Sequence, residues 1–207
     1  MRIILADRRG KLIEAWNSVA SDSDPVTTHQ GSIFDVQSDA LVSPANSFGF
    51  MDGGLDLKIS QFFGWHVQER LQQLIHTKHH GELIVGTAEI VKTDHSRIPY
   101  LISAPTMRVP MILEQTANVY LAIRAVLILV KFGRLEDGIP TKDVVETVAL
   151  PGMGTGVGRV LPHIFARQMK RAIEDILEEG YDFPGSWREA QRRHQLLYSD
   201  SYRDLQY

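Results

Sequence analysis

"DALVSPANSFGFMDGGLD", residues 39–56, decides how the rest of the chain is read. Its first residues are a short apolar run, apolar enough to be buried on both faces of a sheet. The chain then spends fourteen residues on turn formers and polar groups: Ser43, Asn46, Ser47, Asp52 and Asp56, among Gly49, Gly53 and Gly54. Such a stretch is poor core material. In open α/β sheets, however, ligands sit outside the carboxyl ends of strands, in loops of this composition.

A second stretch has the same character. "PGMGTGVGRVLP" (151–162) follows the apolar strand "VETVAL" and precedes a helix that opens on Pro162. Glycine alternates at 152, 154, 156 and 158. A backbone without Cβ atoms can turn its N–H groups onto an anion, and the following helix start adds partial positive charge. A dinucleotide fingerprint would need its third glycine where Val157 or Arg159 stands, and a Walker loop would need Gly-Lys-Ser/Thr, which occurs nowhere in the chain. Taken alone, an asparagine after a strand is usually a turn former, and an aspartate before "LKIS" usually a helix N-cap. Taken with the second loop, Asn46 and Asp56 are an amide and a carboxylate able to hold and polarise a water beside a sugar carbon.

The surroundings fit a sheet with helices on both faces. "RIILA" (2–6), "VTTHQGSIF" (26–34), "GTAEIVKT" (86–93) and "PYLISAPT" (99–106) read as further strands. Helices are expected over 11–20, over 55–80 with a break at Gly64, over 112–133, and over 161–180 with Gly180 as its stop. Strands alternating with helices imply a parallel or mixed sheet. The tail beyond "YDFPGS" is polar and helical in pattern, with Trp187, Tyr198, Tyr202 and Tyr207 as groups that could dock on the body.

Bulk properties narrow the class. The 207 residues are 43% hydrophobic and 23% charged, as expected of one globular domain. A net charge of −3 gives no global attraction to nucleic acid or anionic lipid, so neither is an expected partner. There is no cysteine, which removes disulfides and thiolate metal sites. "MRIILADRRG" is not a signal peptide, and "VYLAIRAVLILVKF" is too short and too interrupted to span a bilayer, so a cytoplasmic location is expected. "HTKHH" (76–80) is set aside as a solvated helix end rather than a metal site.

The two loops together resemble the macro domain family. "GSIFDVQSDALVSPANSFGFMDGGLD" (31–56) is similar, without a gap, to that family's "GD-I…VDAIVNAAN…GGGGVD", and "LPGMGTGVG" (150–158) to its "P-x-x-S-T-G-V-Y". The resemblance implies a three-layer α/β/α fold around a mixed, largely parallel sheet over residues 1–182, with 183–207 as a polar helical extension. It implies a cleft for ADP-ribose, either free or attached to a protein, with no cofactor and no metal. Carried over by position, Gly154, Thr155, Gly156, Val157 and Gly158 wrap the diphosphate, and Gly53, Gly54 and Leu55 help enclose it. Ser32, Ile33 and Ala45 also line the ligand, and Asn46 and Asp56 are the catalytic pair of the hydrolytic branch, which releases ADP-ribose from acidic side chains. The alternatives are a module that binds ADP-ribose or a related nucleotide without turnover, and a phosphatase acting on ADP-ribose 1″-phosphate. Three positions depart from the family: Ser32 replaces an aspartate that accepts from adenine, Ser43 replaces the first asparagine of "NAAN", and Gly158 replaces an aromatic. Phe48 or Phe50 is the expected substitute for that ring, and His163 a possible partner for phosphate.

Overall fold

The computed structural model describes residues 1–22 and 24–200. The chain runs β1 (Arg2–Asp7), α1 (Gly10–Asn17), β2 (Val26–Gln30), β3 (Ala40–Ser43), α2 (Gly54–Phe63), α3 (His66–Lys78), β4 (Glu89–Lys92), β5 (Tyr100–Ser103), α4 (Asn118–Phe132), β6 (Thr147–Leu150), α5 (Pro162–Ile176) and α6 (Trp187–Gln195). One sheet has the order β2-β1-β6-β3-β5-β4. Neighbours are parallel except β4, which runs antiparallel to β5 at the edge.

Strand alternation builds the layers. Ile3, Leu5, Ala40, Val42, Ile102, Val148 and Leu150 face a core shared with α1, α4 and α5. Ala6, Leu41, Leu101 and Ala149 face the other way, onto α2 and α3. The central strands β3 and β6 are buried at every position, which is why their sequences read as continuous apolar runs. The fold is therefore a mixed, mostly parallel sheet between two helical layers, as the sequence leads one to expect. Each fully buried Leu, Ile or Phe contributes about 1.5–3 kcal/mol, so Phe165, Ile59, Leu71 and Leu101, each at 0% exposure, are among the residues that hold the layers together.

Gly64, at φ +103°, separates α2 from α3 at the expected break. Several elements are shorter than the sequence expectation: α1 ends at Asn17, α5 at Ile176 rather than at Gly180, β4 starts at Glu89 and β5 ends at Ser103. Two further boundaries shape the site. β2 stops at Gln30, because its partner β1 ends at Asp7; Gly31 still donates to Asp7 O, after which Ser32–Asp35 close a turn instead of extending the strand. α4 starts at Asn118 rather than 112, because Leu113 is drawn into the core and its N–H donates to Gly158 O across the second loop. Both departures bring chain to the same end of the sheet.

The tail meets the body through Leu197, Tyr198 and the Arg167 guanidinium, which donates to Leu196 O, Ser199 O and Asp200. Trp187 does not dock; it is 82% exposed at the start of α6. Tyr202 and Tyr207 lie outside the described residues. Among the described residues no helix is long and apolar enough to cross a membrane.

Candidate functional site

The carboxyl ends of β2, β1, β6 and β3 lie side by side, and the loops leaving them surround a cleft of about 600 Å³. The strand order sets the order of groups along it. Gly31–Phe34 and Asp7–Arg9 stand at one end, Gly152–Gly158 in the middle, and Ala45, Asn46, Phe50 and Asp52–Asp56 at the other. Both sequence-predicted loops thus border one cavity, and every predicted ligand-binding residue, Ser32, Ile33, Ala45, Gly53, Gly54, Leu55, Gly154, Thr155, Gly156, Val157 and Gly158, lines it.

The first loop starts α2. Gly53 is the N-cap and supplies no side chain, so the first helical N–H groups, on Gly54, Leu55 and Asp56, have no partner among the described residues. They point the positive end of the helix dipole at the cleft. Gly54 sits at φ +57°, a conformation that favours glycine, and a Cβ at Gly53 or Gly54 would meet open space. In the second loop the N–H groups of Gly156, Val157 and Gly158 are likewise unpartnered among the described residues. Two sets of main-chain donors therefore border the cleft in a geometry suited to an anion with several oxygens.

Asp56 sits in the first turn of α2, only 8% exposed. Burial pushes its carboxyl up to about 6, and the hydroxyl of Ser43, donating to Oδ1, is what keeps it from rising further. It is not the N-cap that its position in "GGLD" suggests; Gly53 is. Ser43 is thus a partner of Asp56, a relation that its place on β3, thirteen residues earlier, conceals.

Asn46 is committed to its own loop. Its Oδ1 accepts from the N–H groups of Phe48 (3.1 Å) and Phe50 (3.2 Å), and its Nδ2 donates to Phe50 O at 2.7 Å. Both lone pairs of the amide oxygen are used, which leaves one amide hydrogen for anything in the cleft. Phe50 is 55% exposed and lines the cleft, whereas Phe48 lies under the Arg108 guanidinium, 5.1 Å from its ring centroid. Only Phe50 is placed to cover a ligand.

At the opposite end Ser32 Oγ accepts from Phe34 N–H at 3.3 Å. Asp7, Arg8 and Arg9 line this end as well, and the motif reading of the sequence does not reach them. The signal was present: "DRR" leaves the carboxyl end of a parallel strand, the place where such sheets bind ligands. Burial tends to raise the Asp7 carboxyl, but hydrogen bonds from the Arg9 side chain and backbone and from Gly152 N–H outweigh it and hold the group below the usual carboxylate range. His163 does not face the cleft; its Nε2 lies 3.1 Å from Asp200 Oδ2, on the side of the tail.

Comparison with known proteins agrees with this geometry. The family model described as "Macro domain" matches residues 42–169, more than half of the chain. An uncharacterised protein of Aquifex aeolicus is 33% identical over 147 residues, 71% of this chain and 78% of its own length. Another, from Aeropyrum pernix, is 31% identical over 144 residues, 69% of this chain and 67% of its own. Among solved structures, the macrodomain of Mycobacterium tuberculosis DarG superposes with a TM-score of 0.58 at 17% identity, over 72% of this chain and 90% of that one. The Oceanobacillus iheyensis macrodomain with ADP gives 0.58 at 21%, over 81% and 84%. Thermosipho africanus DarTG in complex with ADP-ribose gives 0.56 at 20%, over 70% of this chain and 37% of that one. At these identities the solved structures speak for the fold, while the family match and the Aquifex relative carry descent: this chain belongs to the macro domain family.

Proposed function

We propose that the chain binds ADP-ribose in this cleft and hydrolyses ADP-ribosyl esters on acidic side chains of proteins. One observation carries the reading: N–H groups at 54–56 and at 156–158, unpartnered among the described residues, border a single cavity that has a buried carboxyl, Asp56, at one end. The strand order then orients the ligand. The adenosine lies toward Ser32 and Ile33, the diphosphate against Gly154–Gly158 and the start of α2, and the distal ribose beside Ala45, Asn46 and Asp56, under Phe50. The Thermosipho africanus DarTG complex with ADP-ribose and the Oceanobacillus iheyensis macrodomain with ADP support the choice of ligand.

In this reading Asp56 is the general base. With a pKa near 6 it is mostly ionised at neutral pH yet basic enough to take a proton from water. The water oxygen bonds to the anomeric carbon and the bond from that carbon to the ester oxygen breaks. The substrate's carboxylate leaves with the electron pair, and the proton passes from Asp56 to solvent. The remaining amide hydrogen of Asn46 orients the ribose or the water. The gripped diphosphate fixes the sugar, so remote binding energy positions the reacting carbon.

A second reading has its own observation. Asn46 spends most of its hydrogen-bonding capacity on Phe48 and Phe50, as a loop-holding residue would. That suits a module that binds ADP-ribose without turnover. Titration calorimetry with ADP-ribose, run beside release of ADP-ribose from an ester-linked modified protein, separates the two. Binding with release that disappears in Asp56→Asn supports the hydrolase, binding without release supports the reader, and absence of binding removes both.

A further inference from the structure

The middle loop of the cleft is not held by its own hydrogen bonds alone. Arg9 reaches it from the β1–α1 junction, 146 residues earlier in sequence. Nη1 donates to Thr155 O at 3.0 Å and Nη2 to Thr155 Oγ1 at 2.5 Å. The same guanidinium donates to both carboxylate oxygens of Asp7, Nε to Oδ1 at 2.9 Å and Nη2 to Oδ2 at 2.8 Å, and Arg9 N–H donates to Oδ1 at 2.9 Å. Thr155 Oγ1 passes the chain on, donating to Gly152 O at 2.6 Å. Gly152 is packed against the base of this network, since a Cβ there would lie 2.7 Å from Asp7 Oδ2.

We infer that Arg9 is a positioning residue for the diphosphate: through its fork onto Thr155 it presets the Gly156–Gly158 amides before ligand arrives. The inference rests on the ADP-ribose reading of the cleft. Its geometry does not: a planar fork with donors on two edges can grip a carboxylate and a loop at once, and a lysine cannot. Asp7 and Arg9 lie outside the stretch that matches the family model, 42–169. Preorganised amides lower the ordering cost of binding, because the loop is not immobilised at the ligand's expense.

The test uses Arg9→Lys, Thr155→Val and the double variant in the full chain. Arg9→Lys keeps a cation beside Asp7 and removes the fork, so a purely structural role predicts little change. A clamp predicts about tenfold faster amide exchange at Thr155, Arg159 and Val160, whose N–H groups are bonded within the loop, in the ligand-free protein, with β6 unchanged. It also predicts about tenfold weaker ADP-ribose binding in Arg9→Lys, and in the double variant a loss smaller than the product of the two single losses, since both variants remove the Nη2–Oγ1 bond. Unchanged exchange in Arg9→Lys, or losses that add in the double variant, would overturn it. Should the wild-type protein fail to bind ADP-ribose, the functional reading falls while the exchange measurement still decides the clamp.

Discussion

The two loops that border the cleft are both rich in glycine, but their cleft-lining glycines differ. In the first, Gly53 and Gly54 face open space while Gly49, off the cleft, packs on Leu71 and Ile75; the loop is held by Asn46 from within and by Gln68 and Arg108 from outside. In the second, a Cβ would strike Asp7 from Gly152, Val119 from Gly154 and the carbonyl of Gly154 from Gly158; Gly156 alone faces open space. That loop combines turns of its own with fixing from outside, by packing and by Arg9. Alternating glycines therefore need not be a phosphate motif at every position: three are there because neighbouring chain is close, and one because the cleft must stay empty.

The sharpest way to break this contrast is at the first loop's carboxylate. Asp56→Asn should lower turnover by about 10²–10⁴, the usual worth of a positioned general base, without loss of fold. It should also stabilise the protein. In the folded state Asp56 holds its proton more tightly than the ordinary value of 3.8 allows, up to about 6. Well below 3.8, at about pH 3, the carboxyl is protonated whether folded or unfolded and costs nothing. As pH rises to 6 and beyond, the folded state bears an ionised buried group that the unfolded chain solvates, a penalty of about 3 kcal/mol. Denaturant unfolding at several pH values should show the variant ahead of wild type above about pH 6 and level with it at about pH 3. A gap that ignores pH would mean that the carboxyl is not strained by burial. Wild-type turnover should rise with pH through about 6 and then level off.

Next comes a paired test inside the second loop. Gly154→Ala places a Cβ 2.7 Å from Val119 Cγ2 at φ +71°, and should cost roughly 2–4 kcal/mol in unfolding experiments. Gly156→Ala meets nothing within the protein, so its stability should stay within about 0.5 kcal/mol of wild type while ADP-ribose binding weakens by about tenfold. If the two variants behave alike, the division between packing glycines and ligand-facing glycine fails. Asn46→Ala, smaller again, should loosen residues 47–50 at a cost of about 1–2 kcal/mol, visible as faster amide exchange at Phe48 and Phe50.

Much of this was legible in the chain because local rules suffice for it. Buried strands announce themselves as apolar runs, Gly64 marks the α2–α3 break, and loops at strand ends mark the cleft. What escaped depends on distance. Nothing near Arg9 tells of Thr155, and nothing near Ser43 tells of Asp56. The start of α4 was misplaced because 112–117 have helical spacing, while tertiary packing of Leu113 beneath Gly158 outbids it. Glycine shows where a side chain is absent, and only the fold shows whether a neighbour or a ligand needs the space.

The smallest effect is the most discriminating for the chemistry. Ser43 is buried at 1% exposure, and its hydroxyl is the one group that opposes burial at Asp56. Ser43→Ala removes that hydrogen bond and little volume, so the carboxylate loses stabilisation and its proton is held to higher pH. The midpoint of the pH profile should therefore move upward from about 6, while turnover on the alkaline plateau stays close to wild type, because the base is unchanged once ionised. A plateau that collapses with the midpoint in place would assign Ser43 to the ligand rather than to Asp56. A midpoint that moves with the plateau intact would make the buried hydroxyl the control on when the cleft can act.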